Sequence, residues 1–128
     1  MLDPGLETRL LGFDASDLGP HAAALMDEMR HAVRAGLPLS ALLLAATLVD
    51  VVANEDSGPA GFVDGVDFAY AGNNAALGWL RGRRNEILHH EGPTDGLMGE
   101  SVAADWHWRD ASNGITALLD YLEDLDSY

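Results

Sequence analysis

The chain has 128 residues, about half of them apolar, no cysteine, and a formal charge of -14 from 21 acids against seven arginines and no lysine. That length suits one domain with a real core, and the absence of cysteine excludes disulfides and thiolate metal sites. The acidity disfavours a broad nucleic-acid-binding face, because such a chain gains little from counterion release at phosphates. No run of 18 apolar residues occurs, and the N-terminus begins with acid and proline rather than a basic stretch and an apolar core. Neither a transmembrane helix nor a signal peptide is expected, so the expectation is a cytoplasmic protein with no membrane contact.

Residues 1–19 read as an arm. Asp3-Pro4-Gly5 and Asp14 to Pro20 are turn material, while Leu6, Leu10, Leu11 and Phe13 offer apolar groups for a core or a partner. Gly19-Pro20 opens a first helix, in which Leu25, Met26, Met29 and Val33 recur at helical spacing until Gly36 ends it. Pro38 starts a second, "PLSALLLAATLVDVVANED", which is apolar on nearly every face and so fits the centre of a bundle. Its polar exceptions are Asp50 and Asn54, one turn apart. A loop follows from Ser57 to about Val66, and Phe62, Val63, Val66, Phe68 and Tyr70 suggest that this region folds back onto the bundle.

A third helix is predicted from Gly72 or Asn73 to His90, where Gly92-Pro93 stops it, with Leu77, Leu80, Arg84 and Ile87 or Leu88 on one stripe. Gly72, Gly78 and Gly82 suggest close helix packing. After a loop at 93–98 comes the fourth helix. Its Ala104, Trp108, Ala111, Ile115, Leu118, Leu122 and Leu125 alternate four and three residues apart, a heptad-like seam that Asn113-Gly114 could kink. Period-two alternation is absent. The expected fold is all-α: an up-and-down four-helix bundle at 20–128, one domain, carrying the N-terminal arm.

The unusual stretch is "RGRRNEILHHEG", Arg81 to Gly92. It holds three of the seven arginines and two of the five histidines in a strongly acidic chain. Residues four apart share a helix face, so Arg81, Asn85 and His89 form one line, and Arg84 continues the apolar line of Leu80. A permanent charge in an apolar stripe is costly unless it is paired or lies at an interface. Asp50, which interrupts the other very apolar helix, is the candidate structural partner. His89 lies about 140° around the helix from Arg84, so the two would flank one groove rather than stack.

The spacing in "RNEILH", Arg84-Asn85 and then His89 late in a helix before a glycine, resembles the motif of the HEPN superfamily (higher eukaryotes and prokaryotes nucleotide-binding). Catalytic members are metal-independent ribonucleases and are often dimers whose motifs face a shared cleft. The resemblance therefore implies His89 as general acid/base, Arg84 as the group that steadies the phosphate, and Asn85 as an orienting hydrogen-bonding group. Those side chains suit the chemistry, since a near-neutral histidine can take a proton from a ribose 2′-hydroxyl and an arginine fork fits phosphate oxygens. It also implies a homodimer, a toxin–antitoxin context, and an antitoxin-like or nucleotidyltransferase partner. RNA as substrate fits the motif, whereas the net charge opposes it.

Other readings stand beside that one. Arg81, Arg83 and His90 fit a helix end, where cations complement the macrodipole. Arg84 fits a structural ion pair with Asp50, and the chain then reads as a non-catalytic dimerisation or protein-interaction module. "HHEG" lacks metal-ligand spacing, and no GxGxxG or GxxxxGK[ST] occurs, so no metal or cofactor is expected. In "WHW", Trp108 belongs to the seam and Trp106 lies off it, where it suits packing or a dimer contact. Asp120, Glu123, Asp124 and Asp126 read as a solvated acidic face.

Overall fold

The computed structural model describes residues 1–57, 74–90, 92 and 96–126. The chain is all-helical there, with no strand among the described residues. The described residues form five helices, α1 (Pro4–Gly12), α2 (Pro20–Arg34), α3 (Pro38–Ser57), α4 (Ala75–His89) and α5 (Ala103–Asp126). The apolar loop residues Phe62, Val63, Val66, Phe68 and Tyr70 lie outside the described residues.

Each helix boundary has a local cause. The Asp3 side chain accepts the Leu6 N–H at 3.0 Å and Pro4 stands in the first turn, so the turn-like Asp-Pro-Gly opens α1. The arm expected at 1–19 is therefore helical over half its length, because N-capping and proline at the first position serve a helix as well as a turn. It is also packed, with Leu2 and Leu10 in the core. Arg30 of α2 fixes its end by donating to the carbonyls of Leu10 at 3.1 Å and Phe13 at 2.5 Å. Arg9 reaches Asp120 at 2.7 Å and Glu123 at 2.8 Å, so two residues of the acidic face are paired rather than merely solvated.

Glycine closes α2. Gly36 adopts φ +76°, its N–H reaches the Val33 carbonyl, and the Leu37 N–H reaches that of Ala32. This left-handed residue satisfies the last carbonyls of the helix without a Cβ penalty. At the start of α4, the Asn74 side chain accepts the N–H groups of Ala76 and Leu77 at 3.0 and 3.1 Å.

Helix α3 is the centre, packing against α2, α4 and α5. Its span Pro38–Glu55 is long and apolar enough by length and composition to cross a membrane. A run-length criterion missed this because it counts unbroken apolar residues rather than mean hydropathy. Here Ala41, Leu42, Ala45, Leu48, Val49 and Val52 are buried in the core with Met26, Met29, Leu77, Leu80, Ile115 and Leu118.

The α5 seam is buried from Ala111 to Leu122, but Ala104 is exposed because its helix end projects past the core. No break occurs at Asn113-Gly114. A Cβ on Gly114 would lie 2.7 Å from Leu42 Cδ1 and 2.9 Å from Leu80 Cδ1, so this glycine lets α3, α4 and α5 meet closely. Gly82 does the opposite of close packing: a Cβ there would meet nothing within 4 Å.

Candidate functional site

Leu77 and Leu80 anchor α4 in the core, and the following turns carry the cationic stretch. Consecutive arginines diverge by about 100° on a helix, so Arg83 and Arg84 reach different neighbours. Arg84 turns to α3, where its Nη1 donates to Asp50 Oδ2, with the two side chains 15% and 25% exposed. Its Nη2 is 3.4 Å from Asn85 Oδ1, and its buried Nε has no acceptor among the described residues. The cation in the apolar stripe is thus held by the carboxylate that interrupts the central helix.

Arg83 turns to α5. It is only 6% exposed, and its Nε donates to Asp110 Oδ2 at 2.8 Å while Nη1 reaches Glu86 Oε1 at 3.2 Å. Burial alone would lower its pKa, but the hydrogen bonds and charges of Asp110 and Glu86 outweigh that and leave it raised. The helix-end reading of Arg83 is corrected here: it is a buried ionic link between α4 and α5. Asp110 went unnoticed in the sequence because it stands beside the seam residue Ala111 in a helix rich in acids. The signal available was Arg83 itself, adjacent to Arg84 on a helix and so pointed about 100° away toward a partner of its own.

His89 is exposed as the last residue of α4. His90 caps the helix in the left-handed region at φ 52°, its backbone N–H donating to the Glu86 carbonyl. Within one chain, then, Arg84 pairs with Asp50 and has Asn85 beside it, while His89 is exposed.

Near Arg83 a cavity of about 370 Å³ opens between α4 and α5, walled by Trp79, Trp106 and Arg109, with Gly82 leaving space on its α4 side. The Arg109 guanidinium lies 4.9 Å from the Trp106 ring centroid, a cation–π distance. His107 is half-buried, with its Nε2 2.6 Å from the Gly96 carbonyl, so it pins the preceding loop rather than joining His89 or His90. Among the described residues, no group of three or more His, Asp or Glu could hold a metal ion.

Comparison with family models, with curated proteins and with solved structures finds no match for this chain.

Proposed function

We propose that this protein is a HEPN-like helical interaction module, a four-helix bundle to which α1 is added, in which the Arg84 motif serves the fold rather than catalysis. One observation carries the reading: the Arg84 guanidinium is committed to Asp50 between α3 and α4, while His89 is exposed at the end of α4. An acid/base and its phosphate-steadying cation must converge on one reacting group, and an arginine held by a carboxylate inside the fold is poorly placed to serve as that cation. Exposed large apolar groups, including Trp79, Leu88, Met98 and Val102, give such a module surface for contacts with a second copy or another protein.

The ribonuclease of toxin–antitoxin type is the second reading, and a specific observation favours it. The Arg84 Nε is buried without an acceptor among the described residues, so the guanidinium keeps an unused donor next to Asn85. A two-fold axis that faced two copies of residues 84–89 would gather both motifs in one cleft.

Incubation of the purified protein with structured and unstructured RNA, with and without EDTA, separates the two. The module reading expects intact RNA in every lane. Metal-independent fragments ending in 2′,3′-cyclic phosphate, lost in His89→Ala, would establish the nuclease instead.

A further inference from the structure

A second cavity, of about 350 Å³, lies where the linker between α1 and α2 meets the ends of α3 and α5. Its floor is apolar: Val52 and Leu122 are buried, and Phe13, Leu18 and Leu125 are half-buried around them. Its rim is acidic, with Asp14, Asp17 and Glu55 all exposed.

The rim is built by the chain. Gly19 has no side chain, and a Cβ there would fall 1.7 Å from Glu55 Oε2, so glycine is what admits the Glu55 carboxylate over the groove. The Asp14 carboxylate is steadied by the Ser16 N–H at 3.0 Å. Among the described residues none of the three forms a salt bridge, in contrast to Asp50, Asp110, Glu86, Asp120 and Glu123. Arg30, which reaches this region, donates to the carbonyls of Leu10 and Phe13 and forms no salt bridge to the rim. Unneutralised carboxylates around an apolar floor repel one another in a chain already at -14, and a cationic occupant would relieve that repulsion.

We propose that this groove docks a basic amphipathic segment of a partner protein, with an apolar side chain on the Val52–Leu122 floor and Arg or Lys side chains on Asp14, Asp17 and Glu55. The choice of occupant follows from sign and shape. Nucleic acid and anionic lipid surfaces carry the wrong charge for this rim. A divalent ion needs converging ligands, and no group of three such side chains is close enough among the described residues. An amphipathic helix laid in a groove satisfies both floor and rim. The inference rests on the interaction-module reading and names the chemistry of its partner.

The test is fluorescence anisotropy on the full chain with a labelled amphipathic peptide of about five helical turns, Leu on one face and Arg on both flanks. Two control peptides replace Arg with Glu, or Leu with Ser. Saturable binding of the first peptide alone is expected, weakened about tenfold or more in the Asp14→Lys/Asp17→Lys variant and by added salt. An unchanged affinity in that variant, equal binding of the Leu-to-Ser peptide, or no binding at about 1 mM would overturn the groove. Circular dichroism of the variant checks that both exposed substitutions leave the helices in place. Those failures leave the module reading intact so long as RNA stays uncut; His89-dependent RNA cleavage would end that reading instead.

Discussion

Asp110→Ala tests whether α4 is fastened to α5 by a buried ion pair. Arg83 and Asp110 are 6% and 11% exposed and meet at 2.8 Å, so removing the carboxylate strands a guanidinium that solvent reaches poorly. Breaking a buried pair costs about 3–5 kcal/mol. Glu86, 3.2 Å from Arg83 and 23% exposed, stays behind and places the loss near the lower limit. The better helix propensity of alanine returns about 0.5 kcal/mol, for a net loss of about 2.5 kcal/mol. In a chain of this size that lowers the melting temperature by about 8–12 °C. The assay is thermal and urea unfolding followed by circular dichroism, with Arg83→Met and the double variant Arg83→Met/Asp110→Leu beside it. The double variant should recover to within about 1 kcal/mol of wild type, because an apolar pair of similar volume removes both buried charges. A loss below about 1 kcal/mol for Asp110→Ala, or a double variant as unstable as the two single losses added, would refute the reasoning.

Two glycines of opposite surroundings give a paired prediction. Gly114→Ala drives a Cβ into Leu42 and Leu80 at 2.7 and 2.9 Å and should cost about 1–2 kcal/mol after its helix-propensity gain, whereas Gly82→Ala meets open space and should stabilise by about 0.5–1 kcal/mol; urea midpoints of the two variants check both signs. The Asp14 carboxyl is held below the ordinary carboxylate range, chiefly by the Ser16 backbone N–H. Its contribution should therefore be fully present above the ordinary Asp value of about 3.9 and lost as pH falls through the lower folded value; an NMR titration placing Asp14 at or above the ordinary range would contradict the contact.

Helical spacing made α2, α3, α4 and α5 readable, because amphipathic periodicity and glycine or proline boundaries are local properties. The α1 helix was hidden because Asp-Pro-Gly fits a turn and an N-cap equally well, and what selected the helix was the docking of Leu10 and the distant reach of Arg30. Asp50 as the partner of Arg84 was readable as a conflict: one charge in each of two apolar helices. The Arg83–Asp110 link was not, since Asp110 is one acid among many and only the approach of α4 and α5 singles it out. Gly82 read as close packing and Gly114 as a possible kink, and the surroundings reverse the two, a distinction that belongs to packing. The acidic groove draws on the linker, α3 and α5, so its residues are scattered from Phe13 to Leu125 and carry no motif.

The assignment of Arg84 to the fold is tested most directly by a double-mutant cycle on Arg84→Met and Asp50→Leu, measured as unfolding free energies in urea. The account predicts that each single change destabilises by about 2–4 kcal/mol, lowered from the fully buried figure by partial exposure, and that the double variant is less destabilised than the sum of the two by a coupling of about 1–3 kcal/mol. Additive losses, with coupling below about 0.3 kcal/mol, would contradict it and return Arg84 to the functional surface.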